Sequence, residues 1–196
     1  MDDASENSIH AYHNEGLLGS KDARALRILS EHLEPNSRFQ YHHVDDTIVF
    51  MGSARTLPRE EAEARLKLAE NGAGDLERTR IDLKMSQYYE ASRTLETRLG
   101  EWSKTLDETE RRLVICTGGG PGIMEAGNRG ASEARGMNVG LIISIPKEEF
   151  ENKYVTRELG FHSHYFFMRK FWFTYLAKAV VVFPGGGTGL SMSCSR

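Results

Sequence analysis

Leu113-Val-Ile-Cys-Thr-Gly-Gly-Gly-Pro-Gly-Ile-Met-Glu-Ala-Gly-Asn-Arg-Gly130 decides the fold. Its first five residues form an apolar, β-branched run with no polar alternation, the pattern of a strand covered on both faces. The glycines at 118, 119, 120 and 122 let the backbone turn tightly, and a helix start signal at Pro121 opens a helix reaching about Arg135. Small residues at Ala126, Gly127, Gly130, Ala131 and Ala134 leave room on that helix for a close neighbour. A buried strand, a glycine turn and a helix make the first part of a βαβ unit.

The same plan recurs at Ala179-Val-Val-Val-Phe-Pro-Gly-Gly-Gly-Thr-Gly-Leu190, six residues before the last one given. Val139–Ile145 is a third continuous apolar run. Thr47-Ile-Val-Phe-Met-Gly-Ser-Ala-Arg55 is a fourth strand-then-turn signal. Phe161 to Phe167 reads as a further strand, after which Met168, Phe171, Trp172, Tyr175 and Leu176 share one helical face. Upstream, residues 1–19 read as a loose arm. Ser20 to about Leu33 has an apolar helical face (Ala23, Leu26, Ile28, Leu29, Leu33) that Glu34-Pro-Asn-Ser should end. A helix from Arg59 to Glu70 follows Pro58 and is broken by Asn71-Gly-Ala-Gly74. A long helix then carries Ile81, Met85, Tyr88, Ala91, Leu95, Leu99, Trp102 and Leu106 as an expected core stripe. These elements predict an α/β domain with a mainly parallel sheet. Residues 1–40 read as an N-terminal arm and helix, 41–186 as the Rossmann-like α/β domain that carries the glycine turns and 187–196 as an aberrant tail.

With 196 residues the chain is expected to be one domain. Its net charge of −3 gives no basic face for nucleic acid. Two cysteines, Cys116 and Cys194, form no framework of spacings, which fits a reduced, cytoplasmic setting. No run approaches a membrane span, and the acidic N-terminus lacks the order of a signal peptide. His42-His43-Val-Asp-Asp reads as a solvated loop before a strand, because nothing nearby completes a ligand set.

Two glycine turns at strand ends point to a phosphate site. Backbone N–H groups approach an anion closely there, and a helix start adds about half a positive charge. Neither turn continues into Gly-Lys-Ser/Thr, so neither is a P-loop. The dinucleotide fingerprint needs glycine at 123, where this chain has Ile123. Arg169 and Lys170 open a helix after a strand, where a guanidinium fork and a point charge suit a phosphate or an electron-rich base. His162 and His164 read as pocket rim or as ordinary strand residues. A pyridoxal-phosphate decarboxylase reading has little support, because Lys170 and Lys178, the lysines near the pocket, lack a cofactor-binding context.

Gly118-Gly-Gly-Pro-Gly-Ile-Met-Glu-Ala-Gly-Asn-Arg-Gly-Ala131, with Gly52-Ser-Ala-Arg55, Met168-Arg-Lys170 and Pro184-Gly-Gly186, resembles the Lonely Guy family over about Thr47 to Gly186. The resemblance implies a Rossmann-like, doubly wound fold, here truncated after the Pro-Gly-Gly turn. It also implies a homodimer and hydrolysis of the N-glycosidic bond of nucleoside 5′-monophosphates, AMP or an N6-substituted AMP, to free base and ribose 5-phosphate. Arg169 is the implied catalytic residue. Ser53, Gly118, Gly119, Gly120, Gly122, Glu125, Lys170, Pro184, Gly185, Gly186, Gly187 and Thr188 are the implied substrate-binding residues. No organic cofactor and no metal are expected, and the partner is a nucleoside 5′-monophosphate.

The family's second catalytic residue is the glutamate ending Pro-Gly-Gly-x-Gly-Thr-x-x-Glu, and Met192 stands at its place. A carboxylate stabilises the positive charge that develops on the sugar or activates water, and a thioether does neither. Codons compatible with Gly187–Arg196, read out of register, encode Tyr-Gly-Thr-Phe-Asp-Glu-Leu-Phe, which restores the motif. The expectation is a reading-frame shift near codon 187 and an impaired enzyme. A frame-restored chain should therefore release adenine and ribose 5-phosphate from AMP much faster than this chain. Equal rates would refute the assignment.

Overall fold

The computed structural model describes residues 10–106, 113–143 and 152–184. Its centre is a five-stranded sheet of β1 (Asp46–Met51), β2 (Leu113–Thr117), β3 (Asn138–Ile143), β4 (Gly160–Ser163) and β5 (Ala177–Val182). The spatial order is β4-β3-β2-β1-β5, and every pair is parallel. Cys116 aligns with Val49 on one side and with Val139 on the other. The chain steps outward from β1 to β4 and then returns to the far side of β1, a doubly wound, Rossmann-like plan.

Among the described residues the α-helices are α1 (Glu15–Gly19), α2 (Arg24–Tyr41), α3 (Arg59–Glu70), α4 (Leu76–Ser103), α5 (Ile123–Glu133) and α6 (Phe166–Tyr175). Alternation along the strands sends Val49, Val114, Cys116, Val139, Leu141 and Phe161 to one face, against Phe39 of α2 and Trp172 of α6. Ile48, Phe50 and Ile115 face the other way, against Ala131 of α5 and the half-buried Leu95 and Leu99 of α4. Both strand faces are apolar because both are covered. In the described part of the arm, a 3₁₀ turn (Ala11–His13) and α1 replace the expected loose coil.

The strand expected over Phe161 to Phe167 ends at Ser163, and Phe166 and Phe167 already belong to α6. Two helices also depart from the sequence reading. α2 runs through Pro35 to Tyr41 instead of stopping at Glu34. Proline lacks the N–H that would bond the Glu31 carbonyl one turn earlier. That carbonyl instead accepts the Trp172 indole N–H at 3.0 Å, so the proline leaves no orphan. The apolar face is also turned: Ala23 is buried, while Leu26, Leu29 and Leu33 are each about half exposed. On α4, the residues buried are Ser86, Tyr89, Ser92 and Glu96, and Ile81 and Trp102 of the expected stripe lie in solvent. The reason is α5. A side-chain carbon at Gly130 would collide with the Arg93 carbonyl oxygen, so the two backbones touch and α4 has room there only for small groups.

Glu96 fills the remaining space. It is fully buried, and a side chain at Gly127 would run into its Oε1. Its partner is the Ser92 hydroxyl, at 3.1 and 3.2 Å from the two oxygens. Burial holds the carboxyl proton on up to about 9, against an ordinary 4.5, and the Ser92 hydroxyl only partly opposes this. Between those values the folded chain binds one more proton than the unfolded chain, so stability falls as pH rises from about 5 to 9. Glu96→Gln has no proton to lose. Its thermal unfolding curve should lack this falling limb, with the variant about 2–4 kcal/mol more stable than the parent near pH 8.

Candidate functional site

The carboxyl ends of β1, β2 and β5 lie side by side, and β1 with β5 forms the point where strand order reverses. In open α/β sheets the ligand crevice opens there. The glycine turn foreseen from sequence after β2 and the described Pro184 after β5 lie on either side of the turn after β1. β2 and β5 are two strand spacings apart, roughly 10 Å. Phe183 N–H donates to Met51 O at 2.8 Å and brings Pro184 beside Gly52.

Gly118 to Gly122 connect β2 to α5. Gly119 and Gly122 have φ of +66° and +72°, values that side chains resist. At Gly122 a side-chain carbon would strike the Ser53 carbonyl oxygen, and at Gly52 it would meet the Ile123 side chain. That closeness lets Ile123 N–H donate to Ser53 O at 3.1 Å, locking the two turns together. Gly119 N–H donates to Thr117 Oγ1 at 2.9 Å. An α-helix leaves its first four amides without intrahelical partners. At α5, Ile123 N–H is satisfied as above, and the N-cap Gly122 has no side chain to cap the others. Ser53 Oγ accepts Arg55 N–H within its own turn at 3.1 Å.

Arg169 lies in the first turn of α6, over the ends of β2 and β3. Its Nε donates to Leu141 O at 2.6 Å and its Nη2 to Gly118 O at 3.3 Å. The guanidinium centre is 5.2 Å from the Phe173 ring centroid. Among the described residues no carboxylate pairs with it. Burial pulls its pKa below the ordinary arginine value, yet arginine stays charged in proteins. Two of its five N–H groups go to backbone carbonyls, which leaves a fixed, incompletely neutralised cation beside the glycine turn. Beneath it, Cys116 is buried and its thiol is pushed up to about 12.

Glu31 of α2, which the sequence reading did not single out, sets the position of α6. Its carboxylate accepts His164 N–H at 2.8 Å and Tyr165 N–H at 3.2 Å, at the head of the helix. Tyr165, the N-cap, supplies no side-chain cap itself. No local pattern marks Glu31, because its partners lie more than 130 residues away. Thr117 did carry a signal, a hydroxyl directly before a glycine turn.

Of the other candidates, Lys170 is half-buried on α6 with its ammonium 4.9 Å from the Phe166 ring. Glu125, in the first turn of α5, is directed to α4, where it accepts the Tyr89 hydroxyl at 3.0 Å. Gly185, Gly186, Gly187 and Thr188 lie outside the described residues. Lys178, taken from sequence to be near the pocket, is at the opposite rim: its Nζ is 3.3 Å from Asp46 Oδ1, at the amino end of β1. It begins β5, whereas the turns end their strands. Among the described residues, no group of three His, Cys, Asp or Glu could hold a metal, and no helix is long and apolar enough to cross a membrane.

Residues 99–195 match the model of the SLOG cluster4 family, a stretch that includes β2, the glycine turn, α6 and β5. Over that stretch the chain is similar to the SLOG cluster4 family. The SLOG superfamily includes Lonely Guy-like Rossmann proteins, in keeping with the resemblance in the sequence. No curated protein matches the chain. The SLOG assignment supports a nucleotide-related role for the Rossmann-like domain. Gly122→Ala should strain the backbone and push the β1 and β2 turns apart. The expected loss is about 3 kcal/mol in chemical denaturation.

Proposed function

We propose that this chain derives from a nucleoside 5′-monophosphate phosphoribohydrolase and binds AMP or an N6-substituted AMP across the β1, β2 and β5 turns. The observation that carries the reading is Arg169, a half-buried guanidinium without a carboxylate partner among the described residues, anchored on the glycine turn itself. A buried cation of this kind calls for an anion. Around it, the uncapped start of α5 and the glycine amides supply further donors. Hydrolysis breaks the bond between C1′ and the base nitrogen. Water adds its oxygen to C1′ and a proton ends on the base. Positive charge grows on the sugar in between. Arg169 suits binding and charge stabilisation, since a guanidinium is a poor proton donor.

Met192, in place of the motif glutamate, favours a second reading in which the site binds nucleotide without turning it over, as a carrier or sensor. Incubation with AMP and analysis of products separates the two. Adenine with ribose 5-phosphate supports the enzyme, and saturable binding without products supports the binding protein. Arg169→Lys cannot span the Leu141 and Gly118 carbonyls with a planar fork. It should weaken AMP binding roughly ten-fold or more in calorimetry. Unchanged affinity in this variant, or no AMP binding by the parent, would sink the proposal.

A further inference from the structure

The glycine turn is held from below by a buried network of neutral polar side chains. Thr117, Asn128, Asn138 and Asn152 are all buried, the first two completely. Thr117 Oγ1 accepts Gly119 N–H at 2.9 Å and donates to Asn128 Oδ1 at 2.6 Å. The same Asn128 oxygen accepts Asn152 Nδ2 at 3.0 Å, while Asn128 Nδ2 donates to Asn138 Oδ1 at 2.8 Å. Asn138 Nδ2 in turn donates to Tyr154 O at 3.0 Å, and its N–H donates to Thr156 Oγ1 at 3.0 Å. One chain of donors and acceptors therefore ties the turn to α5, to the start of β3 and to the 152–156 segment.

The direction of each bond is fixed. Asn128 Oδ1 faces two donors and its Nδ2 faces an acceptor, so a flipped amide would oppose like groups on both sides. This leaves Thr117 one role toward each neighbour: donor to Asn128, acceptor from Gly119. A fully satisfied buried network is rigid, and breaking one member strands its partner in a low-dielectric interior. The amide it captures belongs to Gly119, whose φ of +66° places the next residues of the turn.

We infer that Thr117, oriented by Asn128, is a positioning residue for phosphate recognition. By drawing the Gly119 amide inward, its hydroxyl sets the turn in which Gly118 O anchors Arg169 and Gly122 meets the β1 loop. Thr117 does not touch substrate. Its effect falls on the phosphoryl group and not on the base or sugar. This inference rests on the nucleotide reading proposed above.

Thr117→Val removes the hydroxyl with little change of shape, Thr117→Ala removes it without the branched methyls, and Thr117→Ser keeps it. Calorimetric titration of each full-length variant with AMP and with adenosine isolates the phosphate contribution as the ratio of the two affinities. The Val and Ala variants should lose roughly ten-fold or more in AMP affinity, keep their adenosine affinity and so lose the ratio, while the Ser variant retains it. A general structural role would weaken both ligands together, and that result overturns the inference, as does an unchanged ratio in whichever of the Val and Ala variants folds. Parent protein that binds AMP no more tightly than adenosine overturns the nucleotide reading itself, and the inference with it.

Discussion

The carboxyl rim of the sheet depends on one contact, the Ile123 amide reaching the Ser53 carbonyl. It joins the turns after β1 and β2 into a single floor, and it exists because position 122 has no side chain. The start of α5 is then fixed against β1, and Gly118 is fixed against Arg169. Each of these placements is a close approach of backbone to backbone or to a charge. The sequence marks such approaches with glycine more reliably than with any polar residue.

Arg169 is held from two sides. From the sheet, the carbonyls of Leu141 and Gly118 orient its fork. From the opposite end of the sequence, Glu31 accepts the amides at the head of α6, while its own carbonyl takes the Trp172 indole. Acidic groups at a helix start are favourable because the aligned peptide dipoles leave partial positive charge there. Helix α2 is outside the stretch matched by the SLOG cluster4 family model, yet it fixes the arginine-bearing helix α6 inside that stretch.

The strands and the glycine turn were legible because their signals are local. Continuous apolar runs at Leu113–Thr117 and Thr47–Met51 mean burial on both faces, and the glycines after them mean a tight turn. The long helix was misread because periodicity reports where apolar residues fall, whereas α4 is held by contact with glycines on α5. Once Gly127 and Gly130 bring that backbone close, serine and glutamate are what fit, and the apolar stripe turns partly to solvent. Pro35 misled for a related reason. Its broken hydrogen bond is repaired by Trp172, 137 positions further along, a compensation that no window of sequence contains. At the site, the turn and Arg169 could be read directly. Thr117 carried the mark of a hydroxyl directly before the glycine turn, whereas Glu31 carried no mark at all, since its role arises wholly from tertiary placement.

Cys116 sits under the guanidinium with its thiol strongly protonated. Thiolate is the species that alkylating agents and peroxides attack, so this sulfur is sheltered both by occlusion and by its proton. The sheet beneath Arg169 is therefore chemically quiet, and oxidative damage to the chain should begin elsewhere.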